Sequence, residues 1–594
     1  MCGIAGELRF DGTTPDKGMI ERMLVKLARR GPDAAGTHVE GPLAFGHRRL
    51  AIIDLSPRSN QPMLDAALGL ALVFNGTIYN YPHLRTELQA LGHQFVTDGD
   101  TEVILKAYAQ WGESCVERLH GAFAFAIWDR KAQKLFLARD RLGIKPLYFA
   151  QDAQRIRFAS NTQALLAAGG IDSAIDPVAL HHQFTLHAVI PAPHTISQGI
   201  RKLAPGTTLT LDTHGNAKSR RYWHLHAQRP ATAMSEREWT DAIHASLKAA
   251  VKKRIEIADV KVGVLLSGGL DSSLLVALLA EQGVPDLLTF SVGFEDQPEE
   301  RGNEFEYSDA VANYYGTRHH QYNIPNSEVL QRLPEAVDNM AEPMVSQDAV
   351  AFYLLSEQVS KTVKVVQSGQ GADEVFGGYF WYPRMQAETE GTPLERFRRH
   401  YFDRDHDEYL QTVAPKYHGA DYSAATIAAH LNEPFADSFI DQVLRMDATL
   451  LITDDPVKRV DNMTMAWALE ARVPFLDHEL VELAAQMPPE LKLQSGGKHV
   501  LKRIARGRLP DMVIDRNKGY FPMPALKYVR GDFLHFMQDI LNSRACIERG
   551  LYQRSYVEKL LAAPDSYHTR IQGNKLWHLA LLEFWLQRNV DGLA

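Results

Sequence analysis

The chain has 594 residues, 45% of them hydrophobic and 23% charged, and its 64 Lys and Arg against 72 Asp and Glu give a formal net charge of −8. This composition is typical of a globular protein and argues against disorder, collagen-like repeats and coiled coil. The weakly negative charge gives no electrostatic support for nucleic-acid binding, because proteins that neutralise phosphates concentrate Lys and Arg.

The amino-terminal segment CGIAGELRFDG does not look like a secretory signal, because a glycine and a charge interrupt it before an apolar core can form. No run approaches the ~18 apolar residues of a membrane span. The three cysteines, Cys2, Cys115 and Cys546, are too few and too scattered for a disulfide framework or a structural zinc site. We therefore expect a cytoplasmic protein with neither a membrane nor a nucleic acid as partner.

The first part of the chain, residues 1–222, is predicted to be an α+β domain with mainly antiparallel sheets. ALVFNGTIYN places Asn-Gly between two apolar runs, which predicts a hairpin turn, and AFAFAIWDRKAQKLFLARD supplies two further β-prone runs. Helices are expected at 83–91 and 101–111, and a last hairpin at 203–222. The domain boundary is expected between residues 222 and 235.

Residues 235–594 are predicted to be an α/β domain with a parallel sheet and a helical carboxyl-terminal part. Continuous apolar runs at 260–266, 286–294 and 362–369 alternate with helical segments. Such runs are typical of parallel strands that are buried on both faces.

The first of these strands is followed by SGGLDSS, residues 267–273, at the start of a helix. Paired glycines let the backbone approach a ligand, and the N–H groups and hydroxyls of a helix start donate to an anion. The lysine of a Walker A loop is absent. The motif predicts a phosphate-binding loop; a tight strand-to-helix turn capped by Asp and Ser is the alternative.

A second loop, SGQGADE at 368–374, follows another strand of the same sheet. Ligands of open parallel sheets bind at the carboxyl ends of the strands. Asp271 and Asp373, one on each loop, are therefore predicted to hold Mg²⁺ on a polyphosphate. The alternative is that both are ordinary loop carboxylates.

Several motifs of the chain resemble those of a known enzyme family. SGGLDSS resembles the PP-loop of ATP pyrophosphatases, and MCGIAG, RRGPD, HRRLAIIDL, FNGTIYNY, GDTEVIL, GAFAFAIWD and ARDRLGIKPLY are similar to motifs of the glutamine-hydrolysing asparagine synthetases. The resemblance implies an N-terminal nucleophile (Ntn) glutaminase domain that releases ammonia. It also implies a synthetase domain that uses ATP and Mg²⁺ to adenylate a carboxylate, which the ammonia then attacks. A tunnel for ammonia between the two sites is a further implication, and a homodimer is a possible assembly.

Cys2 is the predicted nucleophile of the glutaminase. With Met1 removed, it carries both a thiol and a free α-amine. A thiol with a pKa near 8.5 is a weak nucleophile at pH 7, and an α-amine with a pKa of about 7.7–8.0 can serve as its base. A lone cysteine is usually a small buried hydrophobe, but position 2 is hard to explain in that way.

The resemblance assigns the other glutaminase residues by position. Arg49 in HRRLAI matches the clamp for the glutamine α-carboxylate, and a guanidinium suits a carboxylate bidentately. Asp100 in GDTEV matches the acid that holds the α-amine. Asn75 and the Gly76 N–H match an oxyanion hole. The alternatives are a surface arginine at Arg49, a helix cap at Asp100 and a plain hairpin turn at Asn75-Gly76.

In the synthetase half, the resemblance assigns a nucleotide site. Its positions match Leu265, Ser267, Gly268, Gly269, Asp271, Ser272, Val292, Ser368 and Gly369. Lys498 in GGKHVLKRIA matches a lysine that approaches the phosphates, with a solvated helix charge as the alternative. LEARVPFLDHEL, at 469–480, is a family signature expected around the cleft.

Two positions depart from the pattern of asparagine-forming members. Thr77 replaces the glutamate of NGEIYN, and Gln370 replaces a glutamate in the second loop. Because Gln370 can only hydrogen-bond, the lost charge predicts an acceptor without the free α-ammonium group of aspartate. Glu342, in AEPMVSQDAV, is a further candidate for the acceptor pocket.

MCGIAGELRFDG, SGQGADEVFGGY and RNKGYFPMP are similar to bacterial N-acetylglutaminylglutamine amidotransferases. That resemblance implies amidation of the terminal carboxylate of an acetylated dipeptide, which makes an osmoprotectant. Three alternatives stay open: an asparagine synthetase acting on aspartate, a cyclase resembling β-lactam synthetase, and a non-catalytic nucleotide-binding protein. Intact Cys2, Arg49 and Asp100 argue against the cyclase.

Overall fold

The computed structural model describes residues 2–296, 301–516 and 529–593. It confirms an α+β first half with antiparallel sheets, followed by an α/β half with a parallel sheet and a long helical part. Most of the RNKGYFPMP motif lies outside the described residues, as does Met1.

The first half consists of two antiparallel sheets between helices. Its strands are β1 (Gly3–Arg9), β2 (Ala34–Glu40), β3 (Leu43–Arg49), β4 (Met63–Asp65), β5 (Leu70–Ile78), β6 (Gly121–Asp129), β7 (Lys134–Arg139), β8 (Tyr148–Gln151), β9 (Arg155–Ala159), β10 (Arg201–Lys202), β11 (Thr207–Asp212) and β12 (Ala217–Arg221). Its helices are α1 (Lys17–Lys26), α2 (Tyr81–Ala90), α3 (Asp100–Trp111), α4 (Cys115–Arg118), α5 (Thr162–Ala168) and α6 (Pro177–Thr185).

The two sheets pack face to face. One has the strand order β10-β8-β9-β1-β3-β2 and the other β12-β11-β7-β6-β5-β4. Side chains alternate between the faces of a strand: Val73 points into the core between the sheets, whereas Leu72 and Phe74 pack on the opposite face, under α3. This layering brings the amino-terminal end of β1 close to β5.

The predicted hairpin turn at Asn75-Gly76 is wrong. Both residues lie inside β5, where Asn75 pairs with Ala124 and Gly76 with Phe123. A Cβ on Gly76 would lie 2.2 Å from the carbonyl oxygen of Ala122. Glycine is thus required at position 76 because the backbone of the neighbouring strand comes close. Close approach of another backbone is a common reason for glycine within a strand. The hairpin predicted at 203–222 is confirmed as β11 and β12.

The second half is built on five parallel strands: β13 (Val262–Leu265), β14 (Leu288–Phe294), β15 (Arg318–Ile324), β16 (Val365–Gln367) and β17 (Glu470–Arg472). Their order is β15-β14-β13-β16-β17, so the chain reverses its direction of travel across the sheet between β13 and β16. The crevice at such a switch point, outside the carboxyl ends of the strands, is where ligands bind in this class of fold.

Helices cover this sheet and form the rest of the half. They are α7 (Glu236–Glu256), α8 (Leu270–Glu281), α9 (Phe305–Tyr315), α10 (Asn326–Asp338), α11 (Asp348–Ser360), α12 (Ala372–Phe376), α13 (Trp381–Ala387), α14 (Pro393–Tyr401), α15 (His406–Thr412), α16 (Tyr422–Leu431), α17 (Phe439–Met446), α18 (Lys458–Met465), α19 (His478–Ala485), α20 (Glu490–Leu493), α21 (His499–Ala505), α22 (Asp511–Ile514), α23 (Gly531–Asn542), α24 (Arg544–Arg549), α25 (Arg554–Ala562) and α26 (Lys575–Asn589). Two π-helical segments, Asp447–Leu451 and Thr453–Val457, join α17 to α18.

The halves share a continuous apolar core. Leu180 and Phe184 of α6 belong to the same buried cluster as Phe290 of β14 and Trp577 of α26. Within the described ranges, no helix is long and apolar enough to cross a bilayer. All three cysteines are buried and unpaired with one another.

Candidate active sites

Cys2 lies at the entry to β1, where the two sheets of the first half meet. It is buried, with 8% of its surface exposed, and its backbone nitrogen donates to Asn75 Oδ1 at 3.0 Å. Burial raises the pKa of the thiol, while the Leu50 backbone and the Arg49 charge oppose that rise. The resting thiol is therefore protonated at neutral pH, and its attack on a substrate requires a base.

Asn75 is fully buried beside this thiol. Its Oδ1 accepts the hydrogen bond from the Cys2 backbone nitrogen, but its Nδ2 has no hydrogen-bond partner among the described residues. Leaving a buried donor unpaired costs roughly 1–3 kcal/mol. A donor held in this way is what an oxyanion hole presents to its ligand.

Arg49 ends β3 and points into the loop that follows it. Its Nη1 donates to Ser56 O and to Asn60 Oδ1, both at 2.8 Å, and its Nη2 donates to Asp54 O. The loop fixes the orientation of the guanidinium, and a bound carboxylate would share these donors.

Asp100 is the first residue of α3, and its Oδ2 accepts from the Ile78 N–H at 3.0 Å, just beyond Gly76 on β5. Burial raises the pKa of Asp100 to about 6, and the charge of Glu470 adds to the rise. A ligand ammonium group at this carboxyl would therefore favour its ionised form. The structure thus brings Asp100 to the strand that carries Asn75 and Gly76.

Glu470, from β17 of the second half, also reaches this site, and sequence reasoning missed it. Thr77 Oγ1 donates to Glu470 Oε1 at 3.2 Å, and Arg472 Nε donates to the same oxygen at 2.6 Å. Burial opposes ionisation, but nearby positive charges, among them Arg472 and Lys145, hold the pKa of Glu470 well below its usual range. Only the LEARVPFLDHEL signature pointed to this segment, with no indication of what it contacts.

The second site is a cavity of about 550 Å³ at the carboxyl ends of β13, β14 and β16. The predicted residues that line it are Leu265, Ser267, Gly269, Asp271, Ser272, Val292, Ser368, Gly369, Gln370, Asp373 and Lys498. Gly268 does not line the cavity; its φ is +78°, and a Cβ there would lie 2.7 Å from the backbone nitrogen of Ser308. Gly268 therefore shapes the loop.

Lys498 connects the two loops. It is 8% exposed, and its Nζ lies 2.5 Å from Asp271 and 2.8 Å from Asp373. Burial opposes the charge, but the two carboxylates raise the pKa of Lys498 well above its usual value. Carboxylate oxygens on facing loops are the donors that Mg²⁺ accepts together with phosphate oxygens. Asp271 and Asp373 fit such an ion.

The opposite wall of the cavity comes from the helical region, and sequence analysis did not identify it. It consists of Tyr379, Trp381, Tyr401, Asp447, Asp455 and Arg459. Two of these acids lie on the π-helical segments, which occur frequently at functional sites. Pro456, inside that helix, was the available sequence signal.

Glu342 is not where it was expected. It is fully buried and does not line the cavity. Its carboxylate instead accepts from Lys202 Nζ at 2.8 Å and from Lys458 Nζ at 3.2 Å. These lysines come from both halves of the chain, so Glu342 belongs to a buried cluster between the domains.

Comparison with known proteins identifies a family for each half of the chain. The family model described as "Asparagine synthase" matches residues 242–587, and the one described as "Glutamine amidotransferase domain" matches residues 1–223. The chain belongs to the asparagine synthase family. It is thus a glutamine-dependent ligase of the asparagine-synthetase type, and its family uses ATP.

Relatives match along the whole length. "Asparagine synthetase [glutamine-hydrolyzing] 1" of Bacillus subtilis is 30% identical over 100% of this chain and 97% of its own, and "Asparagine synthetase [glutamine-hydrolyzing] 3" of the same organism is 31% identical over 99% and 98%. Among solved structures, the glutamine phosphoribosylpyrophosphate amidotransferase of B. subtilis superposes with a TM-score of 0.29 at 19% identity, over 54% of this chain and 65% of that one. Similarity at that level does not bear on the acceptor.

Proposed function

We propose that this chain hydrolyses glutamine at Cys2 and uses the ammonia to amidate a carboxylate that it activates with ATP. The observation that carries the proposal is the pair of assembled sites in one chain. Cys2, Asn75 and Asp100 converge in the first half, and both glycine-rich loops meet Lys498 in the second.

In the first half, the Cys2 thiol would attack the glutamine carboxamide and pass its proton to the α-amine freed by removal of Met1. Asn75 Nδ2 and the Gly76 N–H would stabilise the oxyanion that forms. The protonated α-amine then donates this proton to the leaving nitrogen, and ammonia departs. Water hydrolyses the resulting thioester to glutamate and regenerates the thiol.

In the second half, the acceptor carboxylate would attack the α-phosphorus of ATP and release pyrophosphate, and ammonia would then displace AMP from the acyl-adenylate. The N–H groups at the start of α8 and Lys498 would hold the phosphates. Asp271 and Asp373 would hold Mg²⁺, which supplies positive charge against the polyphosphate.

Two acceptors are supported by different observations. The names of the two B. subtilis relatives support aspartate. The uncharged Gln370, which lines the cavity, supports an acylated dipeptide such as N-acetylglutaminylglutamine, because its amide cannot pair ionically with an ammonium group. We propose amidation of one of these two carboxylates.

The test is pyrophosphate release with glutamine and ATP in three parallel reactions, containing aspartate, N-acetylglutaminylglutamine, or no acceptor. Release in one of the first two above the blank identifies the acceptor, and the amide product is confirmed by mass spectrometry. Equal or faster release with aspartate rules out the dipeptide. If glutamine is hydrolysed but neither acceptor exceeds the blank, both acceptor proposals are wrong.

A further inference from the structure

A cluster of two histidines and one aspartate lies at the edge of the synthetase cavity. His187 follows α6, Asp403 lies between α14 and α15, and His578 is in the first turn of α26. One potential ligand atom from each lies within 4.8 Å of the other two. His187 Nδ1 is 2.9 Å from Asp403 Oδ2, and His578 Nδ1 is 3.6 Å from the same oxygen.

The hydrogen bonds of the cluster are incomplete. His578 is fully buried, and neither of its ring nitrogens has a hydrogen-bond partner within residues 2–296, 301–516 and 529–593. Asp403 Oδ1 is buried and lacks a partner in the same ranges. Leaving such buried atoms without a partner is energetically unfavourable. The unpaired atoms of His578 and Asp403 therefore point to a ligand between these two side chains, next to His187, whose Nδ1 is hydrogen-bonded to Asp403 Oδ2.

A second His–Asp cluster shows the contrast. His181, His406 and Asp421 also have ligand atoms within 4.8 Å of one another. There, however, His181 Nδ1 is 2.9 Å from Ser423 Oγ, and His181 Nε2 is 3.1 Å from His406 Nδ1. Hydrogen bonds satisfy that central histidine, so the cluster requires no ion.

We propose that His187, Asp403 and His578 bind a divalent transition-metal ion of the zinc class. Imidazole favours such ions over Mg²⁺, which prefers oxygen donors. Two histidines and one carboxylate leave a coordination position for water or a ligand.

The surroundings select the ligating nitrogen of His578. A Cβ built on Gly573 would lie 2.7 Å from His578 Nε2, so this glycine closes the Nε2 side of the ring. Nδ1 faces Asp403 and is the ligand atom.

The ion would connect the cavity wall to the carboxyl-terminal helix. His187 and Gly573 both line the cavity, and His578 belongs to α26, whose side chains pack into the core shared by the two halves. The site is independent of the proposed reaction, and its test does not require turnover.

The experiment uses the tag-free full chain, stripped with a chelator and then titrated with Co²⁺ or Zn²⁺ in excess Mg²⁺, which fills oxygen-donor sites. We expect one equivalent of Co²⁺ to bind with the visible absorption of a four- or five-coordinate ion, and Zn²⁺ to displace it and raise the melting temperature. His187→Ala should weaken binding at least ~10-fold, since removal of outer-shell partners alone typically costs 10–100-fold. His214→Ala, at an exposed histidine on a turn, is the matched control.

A second variant, His578→Gln, separates loss of the ligand from loss of the fold, because circular dichroism reports the latter. The proposal is overturned if wild type gives only the spectrum of hydrated Co²⁺. It is also overturned if both folded variants bind the metal as tightly as wild type and the His214→Ala control.

Discussion

The residues that we propose for the chemistry of the first half contact one another across its two sheets. Cys2 is positioned by β1 in one sheet, while Asn75, which accepts from its backbone nitrogen, belongs to β5 in the other. The position of Cys2 in the sequence suggested its role. The buried amide nitrogen of Asn75, which has no hydrogen-bond partner in the described part of the chain, results from the packing of the two sheets.

Replacement of Cys2 tests whether the two sites are separate. Cys2→Ala is expected to abolish glutamine-dependent synthesis while leaving synthesis with added ammonium close to wild type, because in the proposed reaction the thiol is needed only to release ammonia. Product formation with each nitrogen source is the measurement.

Cys115→Ala is the matched control, since Cys115 is fully buried and burial raises its thiol pKa far above the usual range. It should keep both activities and lose about 1 kcal/mol of stability from the lost packing. Loss of ammonium-dependent synthesis in Cys2→Ala would contradict separate sites.

The proposed contact of Asp100 with the glutamine α-ammonium predicts that glutamine binding depends on pH. Its pKa is raised to about 6, so the carboxyl becomes protonated, and loses its attraction for the glutamine α-ammonium, as pH falls through that value. The KM for glutamine should therefore rise below about pH 6.

Asp100→Asn is expected to show a high KM that no longer changes across this range, because an amide does not titrate there. The Asn oxygen can still accept from the Ile78 N–H, so the contact between α3 and β5 is kept. A wild-type KM that is flat between pH 5 and 7 would be inconsistent with this role.

At the scale of elements, β5 shows how a local signal was overridden. Asn-Gly is a strong hairpin signal, yet β5 runs straight through it because β6 pairs along its entire length. Long-range pairing and burial on both faces outweighed a preference that involves two residues.

Gly76→Ala is expected to destabilise the chain by about 3 kcal/mol or more, because the new methyl group would overlap the Ala122 carbonyl oxygen across the strand pair. Unfolding midpoints in urea report the change.

Gly41→Ala is the matched control, at a φ of +53°, where the added Cβ would have no atom of the described residues within 4 Å apart from its chain neighbours. It should lose about 1 kcal/mol through backbone strain alone. Equal losses in the two variants would mean that strand proximity is not what requires glycine at position 76.

At the scale of the whole molecule, buried charges hold the halves together behind the glutaminase site. Arg30 Nη1 donates to Asp461 Oδ2 at 2.8 Å, and Arg30 Nε donates to the carbonyl oxygen of Cys2 at 3.1 Å. Both charged side chains are more than nine-tenths buried. The interface is therefore joined directly to Cys2, the proposed nucleophile.

Asp461→Ala is expected to weaken this interface by about 3–5 kcal/mol, because it leaves the buried guanidinium of Arg30 without its counter-charge. Lys364→Ala removes an ion pair with Asp33 across the same boundary, but that lysine is 42% exposed, and the cost should be below about 1 kcal/mol. Thermal unfolding of both variants is the measurement, and similar shifts would contradict the argument.

The sequence by itself determined the fold class, with antiparallel sheets in the first half of the chain and a parallel sheet with many helices in the second. It also indicated the glycine-rich loops and pointed to Cys2 as the candidate nucleophile. These depend on local periodicity and on short motifs, which a linear chain displays directly.

The tertiary structure alone decided which distant groups meet. It places Glu470 beside Thr77 and buries Glu342 away from the cavity. It also brings His187, Asp403 and His578 together. Such contacts join residues far apart in sequence. They depend on how sheets and helices pack, and neither spacing nor composition encodes that packing in a readable form.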